Sequence, residues 1–195
     1  MNSISEIFNE AGKIIQEIED NKEFSELIEA ITSLIITCFR KGNKVMFCGN
    51  GGSAAEAQHL AAELSGRFYL DRQPLPAEAL HINSSYITAV ANDYSFSKIY
   101  SRYVAGVGKK GDVLIGLSTS GLSDNIIQAF QSAREKEITT VAFTGKSGGL
   151  LHQHSDYMLC IPSENIPRIQ EMHLIVGHII CEKVEQVLFG KSGES

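Results

Sequence analysis

The chain has 195 residues, 43% of them hydrophobic and 21% charged, with a formal net charge of -6, enough for one sizeable core and short for two. No run of Lys and Arg could neutralise a polynucleotide backbone, so a nucleic-acid partner is excluded and any phosphate must be bound locally. Cys38, Cys48, Cys160 and Cys181 form no CxxC pair, which leaves neither a zinc knuckle nor a disulfide framework and makes them small buried hydrophobes.

The opening MNSISEIFNE is polar and acidic, and no window nears 18 uninterrupted apolar residues; a cytoplasmic protein without membrane contact is expected. Ile4, Ile7, Phe8, Ile14, Ile15 and Ile18 recur at helical spacing, as do Leu27, Ile28, Ile31, Leu34, Ile35, Cys38 and Phe39, so two amphipathic helices form an extension over about 1–40. After Lys41-Gly42-Asn43 the run VMFCG is too short for a helix and leads through GNGGS into an alanine-rich helix. RQPLPAEAL (72–80) reads as a surface turn leading to a short strand.

The strand–loop–helix phrase then recurs. Lys110-Gly111-Asp112 leads into VLIGL, the loop STSGLS and a helix from Asp124 to about Glu137, and a weaker copy follows at ITTVAFTG (138–145) with the loop KSGG. YMLCIP (157–162) is one more buried strand, and a long helix runs from Pro167 to about Phe189. Its Met172, Ile175, Val176, Ile179, Ile180, Val184, Val187 and Leu188 cover more of the circumference than one core face needs, which suggests a helical oligomer interface. The expected fold is α/β: a doubly wound parallel sheet of about five strands in three layers, with the ligand crevice at the strand C-termini.

Two loops carry anion-binding chemistry. Asn50-Gly51-Gly52-Ser53 offers backbone N–H groups at a helix start, and Ser118, Thr119, Ser120 and Ser123 add hydroxyls at another. Either loop alone is equally explained by turn chemistry and helix capping; two at equivalent positions favour a ligand. Gly49, Gly51 and Ala54 fit only a degenerate dinucleotide pattern, and no acidic residue ends a clear second strand about 20 residues on, so a dinucleotide is disfavoured.

His59 and Glu63, four apart, project from one helix face, and Gln170 and His178, eight apart, share another, with His173 expected close to the same side. Together they make a divalent-metal or acid/base set; the competing readings are a solvated His–Glu pair and a core histidine at His178.

The stretches GNGGSAAEAQH, ANDYS, STSGLS and RIQEMHLIVGH resemble the sugar isomerase (SIS) fold and, within it, the phosphoheptose isomerases, in the same order and spacing from about Ile28 to Gly190. The resemblance implies one SIS domain over 1–195 with a flavodoxin-like five-stranded sheet, and a homotetramer with active sites between subunits. It also implies isomerisation of sedoheptulose 7-phosphate to D-glycero-D-manno-heptose 7-phosphate, a first step toward the activated heptose of lipopolysaccharide and other surface glycans. Carried over residue by residue, it makes Glu63 the general base and His178 the general acid. Asn50, Gly51, Gly52, Ser53, Glu63, Asn92, Asp93, Ser118, Thr119, Ser120, Ser123 and Gln170 become substrate contacts. His59, Glu63, Gln170 and His178 become ligands of one zinc ion per subunit. The fold also hosts a non-catalytic scaffold that binds a replication initiator; such relatives lack the pairing of Glu63 with His178, which favours the enzyme here.

Overall fold

The computed structural model describes residues 3–190, so the extreme ends of the expected domain, 1–2 and 191–195, lie outside the described residues. The extension is two helices, α1 (Ile4–Asp20) and α2 (Lys22–Arg40). Ser3 and Glu6 close a capping box at the start of α1, and Asn21 both ends α1 and starts α2, its side chain accepting a hydrogen bond from Phe24 N–H at 3.1 Å. The alternating part follows as β1 (Val45–Gly49), α3 (Gly52–Ser65), β2 (Ala77–Ala79), α4 (Ser84–Asp93), α5 (Ile99–Val107), β3 (Val113–Ser118), α6 (Asp124–Glu135), β4 (Thr139–Thr144), β5 (Tyr157–Cys160) and α7 (Ile166–Phe189).

All five strands are parallel, in the order β2-β1-β3-β4-β5. The doubly wound expectation holds, and the chain reverses its direction of winding between β1 and β3. Side chains alternate with the period of two that strands impose. Val45, Phe47, Val113, Ile115, Val141 and Phe143 face a core shared with α2, α3 and α7. Met46, Cys48, Leu114 and Ala142 face a second core with Ile99, Tyr100 and Val104 of α5 and Ile126 and Phe130 of α6. Between them these cores bury both faces of the sheet, which is why the strands read as unbroken apolar runs rather than as alternation. Periodicity gave no helix over 81–107, where α4 and α5 lie; these are only 10 and 9 residues long, and their few core contacts are too sparse to set a period.

The repeated phrase has a structural cause. The two turns before β1 and β3 meet: Asn43 donates to Lys110 O and to Asp112 Oδ1 at 2.9 and 3.1 Å, and Asp112 also accepts from the backbone N–H groups of Lys44 and Lys109 at 3.1 and 3.0 Å. Asp112 is fully buried, so its carboxylate is solvated by these donors alone. Of the cysteines, Cys38, Cys48 and Cys181 are buried as expected, and burial pushes the Cys38 and Cys181 thiols up to about 12; Cys160 is only half-buried. No helix among the described residues is long and apolar enough to cross a membrane.

Asp112→Ala leaves three donors without their acceptor and is expected to cost about 3 kcal/mol, read as a lower urea midpoint at an unchanged m-value.

Candidate active site

The loops after β1 and β3 emerge side by side at the C-terminal edge of the sheet, where the register pairs Gly49 with Leu117. Gly51 takes a positive φ of 57°, a conformation that glycine adopts without strain, and turns the chain directly into α3. Neither α3 nor α6 has a side-chain cap, whereas Ser3, Asn21 and Asn83 cap α1, α2 and α4. Side-chain caps are absent from α5 and α7 as well, and at the start of α3 the Ser53 and Ala54 N–H groups donate to Asn50 O and Gly51 O at 3.1 Å, so the missing caps leave room for a bound group without singling out these two loops.

Ser118, at the end of β3, is buried, and its Oγ lies 2.9 Å from Ser123 Oγ at the start of α6. Ser120 is exposed, accepting from Leu122 N–H at 3.2 Å, and Thr119 is half-buried. Asn50 bonds reciprocally to Asn125, amide to amide, at 2.9 and 2.8 Å, which ties the two loops together. Asn125 was missed in the sequence; its only signal was a carboxamide one residue into a helix that faces a hydroxyl loop. Asn92 and Asp93 end α4, both exposed and bonded to each other at 3.0 Å.

The acid/base set depends on how α7 lies on α3. The two run side by side in the same direction. Gln170 faces Ser53, its Nε2 3.4 Å from Ser53 Oγ, Gly177 lies against Leu60, and His178 faces His59. A Cβ on Gly52 would come within 2.5 Å of Gln170 Nε2, and one on Gly177 within 2.5 Å of Leu60 Cδ2, so glycine on each helix permits the approach. His59 Nε2 is brought 2.8 Å from His178 Nε2 and 3.2 Å from Glu63 Oε1. Gln170 stays with the glycine loop, since eight helical residues separate it from His178 by about 12 Å along α7.

His173 also faces α3, but it is fully buried in the core between α7, α3 and β4, with Nε2 3.2 Å from Thr144 O and Nδ1 3.6 Å from Glu56 Oε2, and is not part of the His59–Glu63–His178 cluster. The core histidine is therefore His173, while His178 is half-buried and faces a polar partner. The surface turn at 72–80 is also corrected at its first residue. The Arg72 side chain is 2% exposed and is paired with Glu185 at 2.8 Å. Burial alone would raise the Glu185 carboxyl, but the N–H groups of Leu70, Tyr69 and Phe68 and the Arg72 guanidinium hold it below the usual carboxylate range.

Two facing imidazole nitrogens at 2.8 Å must share a proton or a cation, since their lone pairs repel otherwise. His59, Glu63 and His178 have ligand atoms within 4.8 Å of one another and form the one such cluster among the described residues. Two imidazoles and a carboxylate are the donor set of many catalytic zinc sites, and the separations of 2.8 and 3.2 Å from His59 Nε2 to its two partners suit bonds of about 2 Å to one ion.

The model of the family described as SIS domain matches residues 6–145, which includes α3 but ends before α7. The chain is 49% identical to a phosphoheptose isomerase of Clostridium acetobutylicum, over 90% of each chain, and 50% identical to one from Geobacter sp., over 87% of this chain and 88% of the relative. Among solved structures, a phosphoheptose isomerase from Neisseria gonorrhoeae superposes with a TM-score of 0.88 at 37% identity, covering 94% of this chain and 97% of that one. One from Francisella tularensis gives 0.87 at 38%, covering 95% and 100%. The chain belongs to the SIS-domain family and, within it, to the phosphoheptose isomerases.

Proposed function

We propose that the chain isomerises sedoheptulose 7-phosphate to D-glycero-D-manno-heptose 7-phosphate, an aldose–ketose conversion that supplies heptose for surface glycans. The observation that carries the reading is the convergence of His59, Glu63 and His178 from two helices, in a chain whose relatives bear the name phosphoheptose isomerase over nearly their whole length. Ser118, Thr119, Ser120 and Ser123, with the uncapped start of α6, hold the phosphate. Asn50, Gly51, Gly52, Ser53, Asn92, Asp93 and Gln170 orient the sugar chain. Glu63 takes the proton from C1 and returns it to C2 through an enediol, while His178 moves the proton between the two oxygens. Positioned acid/base groups of this kind supply about 10²–10⁴-fold each.

His59, Glu63 and His178 would hold a zinc ion, with Gln170 as a fourth ligand where chains meet, and the ion would polarise the substrate oxygens. A His178 that binds the ion through Nε2 cannot donate from that nitrogen, so its ligand and acid roles belong to different states or to different nitrogens.

Ser53 and Glu63 lie ten residues apart on α3, about 15 Å along its axis. The loops and the acid/base group of one chain are thus widely separated, which supports a site completed by a neighbouring subunit. The surfaces for assembly are apolar: Ile4, Phe8, Ile175, Ile179 and Val187 are exposed, and a groove of about 350 Å³ between α1, α2 and α7 is lined by Ile15, Ile18, Met172 and Ile175. A homotetramer in the cytoplasm is the assembly we favour. The alternative of an initiator-binding scaffold has no observation in its favour.

Incubation with sedoheptulose 7-phosphate should yield the aldoheptose phosphate; absence of product ends the reading. Glu63→Gln is expected to lower kcat at least about 100-fold. Ser120→Ala or Ser123→Ala should raise KM with kcat nearly unchanged, and chelation should abolish turnover that added zinc restores.

A further inference from the structure

Arg72 and Glu185 lie outside the proposed chemistry, yet both side chains are only 2% exposed. Glu185 accepts from three successive backbone N–H groups, those of Phe68, Tyr69 and Leu70, at 3.1, 2.7 and 2.9 Å, and from Arg72 Nε at 2.8 Å. The rest of the Arg72 fork donates to carbonyls at the end of α3: Glu63 O and Leu64 O, each at 2.9 Å, with Gln73 O at 3.0 Å. The Glu63 and Leu64 carbonyls have no acceptor role left within the helix, and a guanidinium is well matched to them in charge and shape.

The geometry aims this pair at the acid/base cluster from both sides. Glu185 follows His178 by seven residues, so it stands on nearly the same face of α7, about 10 Å on. Arg72 grips the backbone of Glu63 itself. Phe68, whose N–H Glu185 holds, lays its ring against the His178 imidazole with centroids 5.6 Å apart. We propose that Arg72 and Glu185 are positioning residues that fix the separation and rotation of α3 and α7, and thereby the alignment of His59, Glu63 and His178. The inference rests on the active-site reading above.

The test titrates Zn²⁺ alone into the full-length protein by calorimetry and measures turnover of sedoheptulose 7-phosphate, for the unmodified chain, Glu185→Gln and Arg72→Lys. Arg72→Lys keeps the charge but loses the fork that reaches Glu63 O. Folded variants are expected to bind Zn²⁺ and turn over about 10- to 100-fold less well, as when the partners that orient metal ligands are removed. KM should move less than about threefold, because the loops that hold the substrate are untouched. Variants that melt earlier but keep Zn²⁺ affinity and kcat within about twofold, well inside that 10-fold expectation, would show a merely structural pair and overturn the proposal. Should Glu185→Gln fail to fold, Arg72→Lys decides. Should both fail, amide exchange on the unmodified chain decides: by reciprocity, Zn²⁺ must slow the Phe68, Tyr69 and Leu70 amides more than those of α6, and equal slowing overturns the proposal. An unmodified chain that neither binds Zn²⁺ nor turns over removes the active-site reading and this inference with it. An active chain with indifferent variants removes only this inference.

Discussion

The contact of α7 with α3 is the constraint on which the rest of the site depends. The residues that meet keep a nearly constant separation in sequence: 117 for Ser53 with Gln170 and for Leu60 with Gly177, and 119 for His59 with His178. Parallel helices with a common rise produce that regularity, and two glycines let the axes come close enough for it. Without the contact, His59 and Glu63 are a solvated pair on an exposed helix, worth a few tenths of a kcal/mol. With it, two imidazoles and a carboxylate are forced into one small volume, where mutual repulsion makes a bound cation or a shared proton favourable.

The sheet answers a different problem, how an acidic protein holds an anionic substrate. Its reversal of winding places two loops together, and each feeds a helix whose first N–H groups have no side-chain cap. In the proposed site, partial positive charge at those helix starts would do what lysines do elsewhere, at no cost to the net charge. The Asn50–Asn125 amide pair spans the two loops and ties the start of α3 to that of α6.

Much of this was legible in the sequence, for identifiable reasons. Strands buried on both faces announce themselves as short apolar runs, and the KG turns before β1 and β3 repeat because their side chains bond to each other. His59 and Glu63 were readable because helical spacing fixes their relative direction. The burial of His173 was not, because spacing gives an angle within a helix but not the depth at which the core encloses a side chain. Arg72 was read as surface because it adjoins a proline-rich turn. Its burial depends on Glu185, more than a hundred residues away, and no local pattern encodes such a pairing. The cluster of His178 with His59 belongs to the same class: each half is local, and only the packing joins them.

The constant offset between α3 and α7 has an evolutionary consequence. Residues may be gained or lost in the loops between the two helices without disturbing the site, since the chain between them has only to return α7 to its place. One residue inserted within α3 after Ser53, or within α7 after Gln170, would rotate everything beyond it by about 100°. His59 and His178 would part, and the Glu185 carboxylate would turn from the three N–H groups that it now holds. Length variation in this lineage should therefore be tolerated in the connecting loops and forbidden inside these two helices.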